Sequence, residues 1–186
     1  MSENQRPSKP VRPVGFNHLV LHVRDLEESH DFWSGLLGFQ QVGELYKSET
    51  RPDPAKMRFY SGITNDVVNH HDLALLEVPD LPMAPEWAMA GSFCAFNHLA
   101  ITYPDRESWM AQVQFLDTKD ALENPLRMDH GMTHSLYITD PNGYRVELLY
   151  DLPEEVWSGD INEALQYAVA LPEEEILNDS TDYRVF

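Results

Sequence analysis

A four-residue string, Phe16-Asn17-His18-Leu19, returns unchanged as Phe96-Asn97-His98-Leu99. Each copy opens an apolar run, His18-Leu19-Val20-Leu21 and His98-Leu99-Ala100-Ile101. The repeat extends beyond the four letters, so one structural unit is used twice, with a histidine at the same place in each first strand. Two such units placed back to back bring the two histidines together, and a repeated histidine with a carboxylate nearby is what a divalent metal needs.

The periodicity predicts the same element order in both halves. Phe16 to Val23 reads as a strand rich in Leu and Val. Asp25 then caps a helix that runs through Leu37, with Leu26, Phe32, Trp33, Leu36 and Leu37 at helical spacing, and Gly38 stops it. Gln41 to Tyr46, Met57 to Tyr60 and His71 to Val78 follow as strands. Pro79 to Phe93 is a connector punctuated by Pro79, Pro82, Pro85 and Gly91. The second half repeats the order: a strand over Phe96 to Tyr103, a helix capped by Asp105 and running to about Leu116, then strands over Leu126 to Met128, Ser135 to Thr139 and Tyr144 to Tyr150. The turn Asp140-Pro141-Asn142-Gly143 joins the last two, with Pro fixing φ and Asn-Gly supplying positive φ. Residues 1–13 read as a flexible arm. Residues 14–151 read as one catalytic domain of two modules, 14–79 and 95–151. Residues 152–186 form an acidic extension with a helix around Glu154 to Ala170, a lid over a sheet edge or an oligomer contact. The expected class is α+β: two tandem βαβββ modules forming a cupped mixed β-sheet around a metal site.

Composition narrows the partners. The chain has 186 residues and a formal charge of −18, which disfavours nucleic acid and anionic membrane surfaces, since both need a basic face. Cys94 is the sole cysteine; it reads as a small buried apolar residue, and a reducing compartment suits the chain. No apolar run reaches the roughly 18 residues of a membrane span and no signal-peptide pattern opens the chain. A cytoplasmic protein is the expectation.

Two tandem modules opened by Asn-His and closed by Asp140-Pro141-Asn142-Gly143-Tyr144-Arg145-Val146-Glu147-Leu148 resemble the vicinal oxygen chelate superfamily, over roughly residues 15–151. That superfamily includes glyoxalase I, methylmalonyl-CoA epimerase, drug-sequestering resistance proteins and the type I extradiol dioxygenases. In its architecture each module can offer a ligand from its first strand and another from its last. The resemblance thus implies His18, His98 and Glu147 as metal ligands. Aligning Leu73-Ala74-Leu75 with Val146-Glu147-Leu148 places Ala74 where a fourth would sit. Two imidazoles and one carboxylate are the facial triad of non-haem Fe(II) oxygenases, and Mn(II) accepts the same set.

Two further stretches resemble the extradiol dioxygenases. Asn69-His70-His71-Asp72-Leu73-Ala74-Leu75 is similar to the segment carrying their acid–base histidine, at the position of His71. A catechol must lose protons to chelate a metal, and an imidazole can take and return them at neutral pH. Asp129-His130-Gly131-Met132-Thr133-His134-Ser135-Leu136-Tyr137 is similar to the stretch in which a histidine precedes a tyrosine on the substrate oxygen. This implies roles for Tyr137 and His130, with His134 a rival. His22, His30, Phe32, Trp33 and Trp109 read as structural. The implied function is Fe(II)-dependent ring cleavage of an aromatic catechol, of the catechol or 2,3-dihydroxybiphenyl type, by O2. The implied assembly is a homo-oligomer, because extradiol dioxygenases with four modules cover sheet edges that two modules leave bare. Two alternatives remain: a glyoxalase- or epimerase-type enzyme using Glu77 as a fourth ligand with Zn, Ni or Co, and a metal-free protein that binds an aromatic drug.

Overall fold

The computed structural model describes residues 17–50, 52–64, 67–68, 70–83, 96–171, 177, 179 and 183–186. The expected N-terminal arm, Phe16, Cys94 and most of the expected connector lie outside these residues. The α+β class and the twofold module order are both present. The described elements form two compact units, one drawn from Met1–Leu26 and Gly38–Pro79, the other from Glu27–Leu37 and Asp80–Phe186.

In the first unit, β1 (Leu19–Val23), β2 (Gln40–Glu44), β3 (Met57–Ser61) and β6 (Leu73–Glu77) form one sheet in the order β1-β6-β3-β2. β1 and β6 run parallel, and the other pairs are antiparallel. Alternation puts Leu21, Val23, Leu73 and Leu75 among the buried side chains. A short hairpin, β4 (Ile63–Thr64) with β5 (Val67–Val68), precedes β6. Its two-residue strands carry too few letters for a periodicity to show.

The second unit repeats this plan. β7 (Leu99–Thr102), β8 (Leu126–Asp129), β9 (Thr133–Thr139) and β10 (Arg145–Asp151) take the equivalent places in the order β8-β9-β10-β7, again with one parallel pair, β7 with β10. The helix of the first module also lies in this unit. It starts as α1 (Leu26–His30) and widens into a π-helix over Asp31–Leu36 before Gly38, whose φ of +77° ends it. Ser29 and Leu36 receive hydrogen bonds from Asn142 Nδ2 (3.0 Å) and from Gln112 Nε2 of α2 (Arg106–Thr118; 2.8 Å). Phe32, Trp33, Trp109, Val113 and Leu116 are core, as their helical spacing predicts. Asp105 caps α2 by accepting from the Ser108 backbone N–H at 2.8 Å.

The Asp140–Gly143 turn forms as expected, with one difference. Gly143 alone takes positive φ (+88°). Asn142 instead spends its side chain on Ser29 and Asp140. Asp140 Oδ1 accepts from the N–H groups of Asn142 and Tyr144, both at 2.8 Å. The single helix expected over Glu154 to Ala170 is two short ones, α3 (Glu154–Trp157) and α4 (Ile161–Gln166), followed by β11 (Val169–Ala170) paired to β8. Asp160 restarts the helix by capping the N–H of Glu163 at 2.9 Å, and a side chain at Gly159 would run into the Phe186 backbone. Among the described residues no helix is long and apolar enough to cross a membrane.

Candidate metal centre

Sheet register shows what each module offers. In the first unit Leu19 pairs with Leu73 and Val20 with Ala74. In the second, Leu99 pairs with Val146 and Ala100 with Glu147. The repeated tetrapeptide sets Leu19 equal to Leu99, so Ala74 is the counterpart of Glu147. Glu77 lies three residues further along β6 and projects from the opposite face of the strand. Its carboxylate is engaged there by Lys56 Nζ at 2.5 Å and the Leu26 N–H at 3.3 Å. The lysine ammonium beside Glu77 holds its carboxyl below the usual range. Glu77 is therefore a structural residue that ties β6 to the start of α1.

His98, Glu147, Tyr137 and His130 come together in the second unit. The side chains of β9 and β10 pair across the hairpin with Tyr137 directly opposite Glu147. Tyr137 donates its phenol proton to Glu147 Oε1 at 2.8 Å, and His98 Nε2 stands 3.0 Å from Glu147 Oε2. His130 Nε2 meets the Tyr137 hydroxyl at 3.0 Å. Glu147 is buried and His98 is partly open. Burial, then the hydrogen bond and charge of Glu147, push the Tyr137 phenol far above its ordinary range, so it stays protonated. Burial lowers the His130 imidazole, with His98 adding to the effect against Glu147 and Asp129. His134, the rival of His130, points to the other face of β9 and hydrogen-bonds Asp179 through Nδ1 at 2.8 Å.

The first unit holds the other two candidates. The His18 and His71 rings lie 4.4 Å apart, and His71 Nδ1 is 2.8 Å from His70 Nδ1. Burial, and then the neighbouring His18 and His70, lower the His71 imidazole. Among the described residues, no group of three or more His, Cys, Asp or Glu side chains forms a cage for a cation.

His98 and Glu147 offer two of the donor types a divalent metal takes. Two ligand atoms held at right angles around one octahedral cation, each at about 2.1 Å, stand about 3.0 Å apart, and His98 Nε2 and Glu147 Oε2 are 3.0 Å apart. They open into a cleft of about 280 Å³. Its polar end is His98, His130, Tyr137 and Glu147, and its apolar wall is Met132, Leu149, Leu165 and Tyr167.

A model of the glyoxalase/bleomycin resistance protein/dioxygenase superfamily matches residues 15–148. The chain belongs to this superfamily. It is 27% identical over 149 residues to the catechol-2,3-dioxygenase of Bacillus subtilis, covering 79% of this chain but only 44% of that protein. The chain thus spans less than half the length of that relative. It is also 27% identical over 165 residues to a lactoylglutathione lyase of Pseudomonas putida, covering 74% of this chain and 86% of the relative. The crystal structure of a glyoxalase/dioxygenase from Nostoc punctiforme shares the fold, with a TM-score of 0.55 at 20% identity over 80% of this chain and all of that one. The superfamily therefore contains both oxidative and non-oxidative neighbours, and the choice rests on the residues of the site.

Two features of this superfamily member are not readable from its motifs. Leu165 of α4 and Tyr167 after it belong to the extension, yet they line the cleft. The second is the anchor of that extension. The Asp179 carboxylate receives Arg127 at 2.5 Å, Tyr150 at 2.7 Å, and Arg106 and His134 at 2.8 Å each. Nearby, a Cβ at Gly131 would stand 2.9 Å from the Phe186 ring, so the loop carrying His130 packs directly on that residue. Asp179 is one of many acidic residues in its segment, and nothing local distinguishes it.

Proposed function

We propose that the protein is an Fe(II)-dependent extradiol dioxygenase that cleaves an aromatic catechol beside its diol, with both atoms of O2 entering the product. The observation that carries this reading is the alanine at position 74. Where Glu147 ends the second module's contribution, the first module offers a methyl group. The protein ligands would then be His18, His98 and Glu147, the two-histidine, one-carboxylate set that suits non-haem Fe(II).

Held by His18, His98 and Glu147, a ferrous ion would supply the redox chemistry that lets a catechol react with O2. The chain's own residues handle position and protons. Tyr137 stays protonated and donates its one hydrogen bond to Glu147 Oε1, anchoring that carboxylate, and its hydroxyl oxygen remains an acceptor for a substrate hydroxyl. His71, with its imidazole lowered, is a neutral base for a catechol hydroxyl and returns that proton as the ring opens. The apolar wall of Leu149, Leu165 and Tyr167 suits an aromatic ring.

The test is oxygen uptake by protein loaded anaerobically with Fe(II), across a panel of catechols, followed by the yellow colour of a hydroxymuconic semialdehyde. Uptake with colour, abolished in Glu147→Ala, supports ring cleavage. Metal-loaded protein that consumes no oxygen with any catechol overturns it.

A further inference from the structure

Both copies of the repeated tetrapeptide carry an asparagine before the histidine, and in both the asparagine makes the same bond. Asn17 Oδ1 lies 2.7 Å from His18 Nδ1, and Asn97 Oδ1 lies 2.7 Å from His98 Nδ1. An amide oxygen can only accept, so each Nδ1 carries a hydrogen and the lone pair of a neutral ring is left on Nε2. In the second unit that same Nε2 is the atom 3.0 Å from Glu147.

We propose that Asn17 and Asn97 are positioning residues that set the tautomer and ring orientation of the two ligand histidines, so that each presents Nε2 to the metal. This rests on the metal centre proposed above and holds whichever reaction that centre performs. A neutral imidazole carries its proton on either nitrogen, and only the unprotonated one can ligate. Ligand histidines commonly donate their second N–H to an acceptor that fixes the ring. That acceptor usually comes from elsewhere in a fold. Here it is the preceding residue, so it travels with its histidine and needs no second element to deliver it. Asn17 is itself oriented, because its Nδ2 lies 3.5 Å from His70 Nε2, with the amide nitrogen toward His70 and the oxygen toward His18.

The test is Mn(II) binding, read from the loss of the free-ion EPR signal, in the wild type, Asn97→Ala, Asn97→Asp and Asn17→Ala. Each alanine variant is expected to bind roughly 10- to 100-fold more weakly, with the unfolding midpoint of the metal-free protein unchanged. Asn97→Asp, which keeps an acceptor oxygen, is expected to restore binding to within a few fold of wild type. Alanine variants that bind as tightly as wild type overturn the proposal, and so does an aspartate variant as weak as the alanine one. Wild-type protein that takes up no Mn(II) overturns the metal centre itself and this inference with it.

Discussion

Tyr137 donates its phenol proton to Glu147 Oε1 at 2.8 Å, while the other oxygen of Glu147 faces His98 at 3.0 Å. One carboxylate thus has its two oxygens divided between a neutral donor and a proposed ligand partner. The division follows from the β9–β10 register, which sets the two residues directly opposite one another. A buried carboxylate with a free second oxygen could rotate, and the phenol stops it.

Removing only that hydroxyl should therefore loosen the metal without unfolding the sheet. Tyr137→Phe keeps the ring in its buried place and leaves Glu147 Oε1 without its closest donor. Metal affinity should fall by about 10-fold or more, as for other residues that hold a ligand in place. Mn(II) titration beside thermal unfolding of the metal-free protein checks this. Affinity equal to wild type would mean the phenol does not orient Glu147.

Ligand and proton-handling residues should separate cleanly. Glu147→Ala is expected to lose bound iron, because it removes one of three proposed ligands. His71→Ala is expected to retain iron and lose turnover by about 10²- to 10⁴-fold, the usual contribution of a positioned acid–base group. Iron content by elemental analysis and oxygen uptake on the same samples decide both. Unchanged iron in Glu147→Ala would remove it from the ligand set.

Much of this was legible in the sequence because it was written twice. The repeat of Phe-Asn-His-Leu fixed the equivalence of the modules, and the sheet register agrees with the alignment of Ala74 to Glu147. Spacing across the Asp140–Gly143 turn anticipated the meeting of Tyr137 with Glu147. The choice between His130 and His134 was open because motif order does not say which face of a strand a residue takes; the even step from His134 to Leu136 puts both opposite Tyr137. The extension was the least legible part. Asp179 sits among like charges, and its partners Arg106, Arg127, His134 and Tyr150 are scattered over one helix and three strands, so only tertiary structure reveals them.

The wall contributed by the extension should set substrate size. Tyr167 lines the cleft and meets Phe186 edge to face with ring centroids 5.3 Å apart, and the Arg184 guanidinium lies 5.5 Å from the Tyr167 ring centroid. Tyr167→Ala should widen the apolar end, improving kcat/KM for a ring-substituted catechol relative to catechol itself by several-fold. The comparison of the two substrates on one enzyme sample cancels differences in iron loading. An unchanged ratio would place the substrate away from this wall.

The anchor of the extension should give the protein a pH-dependent stability. Burial opposes charging of His134, but Asp129 and Asp179 outweigh it and push the imidazole from 6.5 up to about 9. Asp179 is held below the ordinary carboxylate range: burial works against this, and His134, Tyr150 and Arg127 prevail. A group whose pKa is raised by folding contributes fully below its unfolded value and loses that contribution as pH rises through its folded value. The His134–Asp179 contribution should therefore be intact at pH 6 and fade between about 6.5 and 9. At 1.36 kcal/mol per pKa unit it amounts to roughly 3 kcal/mol as a ceiling. Urea unfolding of the metal-free protein at pH 6 and at pH 9.5 measures the loss. His134→Gln keeps a polar side chain but cannot titrate, so it should lower stability at pH 6 and remove most of the decline toward pH 9.5. A decline as steep in the variant as in the wild type would show that other groups govern it.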